Sequence, residues 1–243
     1  MMTGQQRGSR EAILSKIKRA LQMPAPKPGA HGHHSGPHPA SPGGGLTLPV
    51  INGSQWKQWL PPTGENWDEW AALFARNAEG LKADFHLLES EEELPTALQK
   101  LRDENSWQRI AFHAGDLTNL AVRALDVPSL SITEGYDRDE LEKCDAGITL
   151  CDALIAQTGS VLITARSAGG RALSILPPHH VVLARRAQLL PDLPAAFELL
   201  RATYGENLPS LMSFITGPSR TGDIERILVL GAHGPRQLTI FCV

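Results

Sequence analysis

Polar side chains set among glycines mark the part of this sequence best suited to chemistry. Residues 214–235, FITGPSRTGDIERILVLGAHGP, carry Ser219, Arg220, Thr221, Asp223, Glu225 and His233 beside Gly217, Gly222, Gly231 and Gly234. Glycine lets backbone come close to a ligand. An apolar run over 211–215 leads into Gly217-Pro218, and Ile224, Ile227 and Leu228 recur after Thr221, so the pattern predicts a strand, a tight turn and a helix start. Free amides at such a start attract anions, Ser219 or Thr221 would cap it, and Arg220 offers a planar fork for carboxylate or phosphate. The chemistry would be the binding of a small anion. A plain N-capped turn in which Arg220 pairs with Asp223 or Glu225 uses the same residues.

Three further groups deserve a chemical reading. Gln157-Thr158-Gly159-Ser160 lies between two apolar strands, where hydroxyls and amides can face an anion or simply make a hairpin turn. Arg166 and Arg171 flank Ser167-Ala168-Gly169-Gly170, a loop that can close over a carboxylate or present two solvated arginines. His179 and His180 precede Val181, and strand alternation would point one inward and one outward, the inward one serving as a core residue or a catalyst. His233 between Gly231 and Gly234 can donate to an oxyanion or tie two loops. No Ser-His-Asp order, zinc spacing or G-x-G-x-x-G after a strand is present.

The three cysteines, Cys144, Cys151 and Cys242, form no C-x-x-C pair, so neither an iron–sulfur cluster nor a structural zinc is expected. Their apolar surroundings predict buried free thiols in a reducing cytoplasm. A net charge of -3 provides no global basic field for nucleic acid. No apolar run reaches the roughly 20 residues that span a bilayer, and the N-terminus lacks a signal-peptide core. The expected location is the cytoplasm.

The elements that must position these groups begin with residues 1–23, where Ile13, Ile17 and Leu21 make one stripe of an amphipathic helix over 9–22. That stripe packs on its own domain or docks on a partner. Residues 24–49 are rich in His, Pro and Gly and read as a flexible linker; His31, His33, His34 and His38 within it could hold a transition metal. The folded body covers 50–243. Asn66 with Glu69 and Ser90 with Glu93 read as capping boxes, and Asp116, residues 137–143 and Pro191-Asp192 open further helices. Between them fall strands over 85–88, 110–113 and 129–132. Such alternation predicts an α/β fold with a mixed, mainly parallel sheet flanked by helices, and ligands outside the carboxyl ends of its strands. From 147 to 184 strands follow without helical period, which predicts antiparallel neighbours. Residues 237–243 close the chain as a strand.

GPSRTGDIE followed by LGAHGP, together with SREAILSKIKRAL, DALIAQTGSVLI and LPPHHVVLA, resembles the LUD-domain family, in its lactate utilization protein C branch. Two positions depart from the family: Gly222, where alanine is more usual, and Gln157, where an acid commonly precedes Thr-Gly. The resemblance implies the NagB/RpiA/CoA transferase-like fold shared by ribose-5-phosphate isomerase, glucosamine-6-phosphate deaminase and CoA transferases. It also implies a subunit of the system that oxidises L-lactate to pyruvate, working beside separate iron–sulfur protein partners, with its own cofactor left open. On this basis Glu225 becomes the general base or nucleophile, because CoA transferases of this fold employ a glutamate, with His233 beside it. Thr158, Gly159 and Ser160 join Gly217, Ser219, Arg220, Thr221, Asp223 and Gly234 as the ligand-binding set. The same fold and loops also suit a stand-alone enzyme acting on a sugar phosphate or a CoA thioester.

Overall fold

Three helices of the body start where a short polar side chain, Asn66, Asp137 or Asp192, accepts from unpaired amides. The computed structural model of the protein describes Ser15 and residues 61–224, 227–231 and 234–243. The expected helix over 9–22, the linker over 24–49 with its histidines, and the residues Glu225 and His233 lie outside the described residues. Asn66 caps α1 (Trp67–Gly80), accepting from the Glu69 amide and donating its own amide to the Glu69 carboxylate. That reciprocal pair is the predicted capping box.

The second box forms differently. Residues 91–93 make a 3-10 turn, the Ser90 hydroxyl serves Glu92, and the Glu93 carboxylate accepts from the Glu89 amide before α2 (Leu94–Asn105) begins. Pro95, without an N–H, suits that first turn. Helix α3 (Asp116–Leu125) starts at Asp116, with Gly115 as the N-cap. Asp137 caps α4 (Arg138–Glu142) and Asp192 caps α5 (Leu193–Tyr204).

Six strands form one parallel sheet. They are β1 (Asp84–Leu87), β2 (Ile110–Phe112), β3 (Ser129–Ser131), β4 (Ala146–Leu150), β7 (His179–Ala184) and β12 (Gln237–Cys242), in the order β1-β12-β7-β4-β2-β3. A smaller mixed sheet holds β5 (Ala153–Ile155), β6 (Ser160–Thr164), β8 (Leu189–Leu190) and β9 (Met212–Ile215), in the order β8-β5-β6-β9. Its β5–β6 and β6–β9 pairs are antiparallel, as the change of rhythm after 147 predicts.

The core is layered. On one face of the parallel sheet, Leu94 and Leu98 of α2 and Leu117, Ala121 and Leu125 of α3 pack on Ile110, Ile148, Val181, Leu183 and Phe241. On the other face Phe74 and Ala78 of α1 sit between Val182, Ala184 and Ile240 of the parallel sheet and Leu154, Val161 and Ile163 of the mixed one. Helix α5 closes the outer side, with Ala196 and Leu200 against Ala153, Ile155 and Leu162.

Covering both faces overturns the expectation for the two histidines. Neither points outward: His179 and His180 are both buried, because every residue of a strand inside a parallel sheet meets a layer. The predicted helix start after Thr221 is also replaced, by a hairpin of β10 (Arg220–Ile224) and β11 (Ile227–Leu230). The physical reason is local. Thr221, Ile224, Ile227 and Val229 are β-branched and lose side-chain freedom in a helix, and Gly222 costs a helix about 1 kcal/mol against alanine.

Candidate functional site

Of the residues nominated from sequence, Gly159, Ser160, Gly217, Ser219 and Gly234 lie near the segments that enter the parallel strands at their amino-terminal ends. Thr158 and Gly159 turn the chain from β5 to β6, so the hairpin reading of that stretch holds. The Asn77 side-chain amide from α1 donates to the carbonyls of Ala156 and Gln157 at 2.8 and 3.0 Å and clamps the turn. Gly159 adopts φ +64°, and a Cβ there would lie 2.9 Å from the Asn77 carbonyl carbon. Thr158 Oγ1 is buried without a partner among the described residues. Gln157 donates to the Pro61 carbonyl.

Ser160 joins this turn to the second nominated loop, its hydroxyl 2.8 Å from that of Thr216. Gly217 follows at φ +87°, where a Cβ would stand 2.8 Å from the Leu81 carbonyl oxygen. The Ser219 amide donates to the Pro235 carbonyl and the Ser219 carbonyl accepts from the Gly231 amide, while Gly234 faces the Ser219 side chain. The segments at Leu81, Pro178 and Pro235 lead into β1, β7 and β12, and the Arg236 amide donates to the Pro178 carbonyl. The glycines at 159 and 217 thus serve close contact of backbone with backbone. Arg220 opens β10, exposed and without an ion pair to any described side chain, and Thr221 and Asp223 follow on the same strand. Such a loop offers an exposed guanidinium to an anion or a partner.

The opposite end of the sheet carries a denser polar network that sequence reasoning missed. Asp152 follows β4 and receives the hydroxyls of Ser167 and Tyr204, each at 2.5 Å, with Thr164 Oγ1 at 3.4 Å. Thr164 in turn receives the amides of Arg166 and Ser167 on its hydroxyl. Burial and the neighbouring Asp152 carboxylate push the Tyr204 phenol up, so it stays a donor. Arg166 lies over the Tyr204 ring, 5.5 Å from its centre, and Arg171 is exposed. Beyond β7, Arg185 bridges Asp116 and Glu91, and its guanidinium holds the Asp116 carboxyl below the usual range. A polar residue two positions after a parallel strand, as Asp152 is, was the available signal.

Redox and metal chemistry find few groups here. All three thiols are buried, as their surroundings predict, and burial pushes Cys144 up, Cys151 well up and Cys242 to about 11. Protonated thiols of this kind are poor nucleophiles and poor ligands. Among the described residues no three His, Cys, Asp or Glu side chains converge on a common metal position, and no helix is long and apolar enough to cross a membrane.

Comparison with known proteins rests on the body of the chain. Residues 71–243 match the family model of the LUD domain. Lactate utilization protein C of Shouchella clausii is 31% identical over 69% of this chain and 76% of its own length. Its namesake in Halalkalibacterium halodurans is 36% identical over 55% of this chain and 59% of its own length. A crystal structure of a DUF162 family protein from Deinococcus radiodurans superposes with a TM-score of 0.59 at 23% identity, covering 74% of this chain and 99% of that one, which establishes a shared fold. With the family model spanning most of the body and the Shouchella relative aligned over three-quarters of its length, the chain belongs to the LUD domain family.

Proposed function

We propose that this protein serves L-lactate utilization, as a cytoplasmic subunit of a system that oxidises L-lactate to pyruvate beside separate iron–sulfur proteins. The observation that carries the reading is the kinship of residues 71–243 with proteins named lactate utilization protein C. The buried, protonated thiols fit a chain that leaves electron transfer to partners. The loop 217–225 contacts a small anion or a partner, and the exposed Arg220 supports that role. Glu225 and His233 complete the proposed set as acid/base groups.

A strain lacking this protein tests the reading. Growth on L-lactate should be poor and growth on glucose normal, with recovery on re-expression. Normal growth on L-lactate would remove the assignment. Thermal shift of the purified chain against sugar phosphates and CoA esters tests the stand-alone enzyme, since a ligand at about 100 times its Kd adds roughly 2.7 kcal/mol.

A further inference from the structure

We infer a second binding site, for a small carboxylate, at the carboxyl ends of β2 and β4, built on His113 and the loop 165–171. The topology opens the place. After β2 the chain crosses through α3 on one face of the parallel sheet to β3, then returns through α4 on the other face to β4, so β2 and β4 are neighbours whose connections part. The crevice between such strands is where open α/β sheets accept ligands.

His113 is the first residue beyond β2, and Asp152 stands just beyond β4. A single loop touches both: Ser167 donates to Asp152, and Gly169 lies on the His113 ring. Gly169 holds φ +66°, and a Cβ there would come 2.5 Å from His113 Nδ1, so only glycine permits the contact. Gly170, at φ +118°, has open space where a side chain would be.

The backbone around His113 is tied and the ring is not. Thr118 donates its hydroxyl to the His113 carbonyl at 2.7 Å, and the Ala114 amide donates to Thr133 Oγ1 at 2.9 Å. Nδ1 is buried without a hydrogen bond, and neither ring nitrogen bonds a described residue. His179 and His180 also leave a buried Nδ1 without a partner, but each spends Nε2 on a threonine hydroxyl. Nδ1 is covered by Gly169, so Nε2, which bonds no described residue, is the ring nitrogen left to a ligand at this crevice.

Charge sets the ligand class. Arg166 and Arg171 flank Gly169 in the loop, both exposed and neither in an ion pair with a described side chain. Asp152 makes no ion pair with either, its oxygens accepting the hydroxyls of Ser167, Tyr204 and Thr164. Arg166 lies over the Tyr204 ring and Arg171 is exposed, and two guanidinium forks on the loop that covers His113 suit a planar carboxylate. Naming it a 2-hydroxy or 2-oxo acid rests on the lactate reading above.

The test follows the histidine ring signals of the full chain by NMR while L-lactate, pyruvate or inorganic phosphate is added. The expected result is a saturable shift of the His113 signals, assigned through a His113→Asn variant, with L-lactate or pyruvate. Arg171→Gln, a change at an exposed side chain, should weaken that response by about tenfold or more. A silent His113, a response to phosphate alone, or an unchanged Kd in Arg171→Gln overturns the site. If His113 responds and the deletion strain still grows on L-lactate, the site stands and the lactate reading falls.

Discussion

His180 Nε2 lies 2.9 Å from Thr149 Oγ1 on one face of the parallel sheet, and both residues are buried. On the other face His179 Nε2 stands 2.8 Å from Thr239 Oγ1 and its ring meets Trp107 edge to face. Burial lowers His179 to about 4; burial, then the neighbouring His179, lowers His180 to about 3. Both values lie below the roughly 6.5 of an unfolded histidine. The stability they contribute is therefore complete above pH 6.5 and drains as pH falls toward 4 and 3, at up to about 1.4 kcal/mol per pH unit for each ring. Urea midpoints between pH 7 and 5 should fall accordingly. His180→Gln, which keeps a polar group near Thr149, should remove about half of that slope.

Removing the Tyr204 hydroxyl should loosen the Asp152 network. Tyr204→Phe takes one short donor from a half-buried carboxylate, and we expect a loss of about 1–2 kcal/mol in chemical denaturation. Asp152→Asn should lower the alkaline midpoint of Tyr204, because it removes a negative neighbour. Ultraviolet titration can read it, since the chain has only two tyrosines.

Gly159 and Gly217 should behave as structural residues. Alanine at either position forces a positive φ and drives a methyl into α1 or the Leu81 carbonyl, so melting should drop by about 1–3 kcal/mol even without ligand. Unchanged melting with lost ligand response would return them to a direct binding role.

Arg220 should separate the two readings of its loop. An exposed side chain without a described ion pair predicts a stability change within about 0.5 kcal/mol for Arg220→Ala. If the loop binds an anion bidentately, Arg220→Lys also impairs growth on L-lactate while the fold survives. Full growth in the Arg220→Ala strain would take the loop out of the proposed function.

The fold was legible wherever local chemistry and tertiary packing agree. Asn66, Asp137 and Asp192 announce their helices because each cap serves amides within three residues of itself. The parallel order with β12 between β1 and β7 was not legible, since pairing partners far apart in sequence leave no local mark. The β10–β11 ribbon was misread because Ile224, Ile227 and Leu228 fit a helical spacing as well as a strand. Glycine-rich loops attracted attention to the amino end of the sheet, where two of those glycines answer backbone crowding. His113, Asp152 and Tyr204 drew none, because they come from separate elements and meet only in three dimensions.

Strand β12 has a consequence for how the protein is made. Within the parallel sheet β1 hydrogen-bonds only to β12, the last of the described strands to leave the ribosome. Until then Phe74 and Ala78 of α1 lack Leu238, Ile240 and Cys242 as cover, and an unpaired edge and an apolar face stay open together. Pairing across such sequence distance is slow, so nascent chains should spend that interval in the care of chaperones and aggregate when translation outruns them.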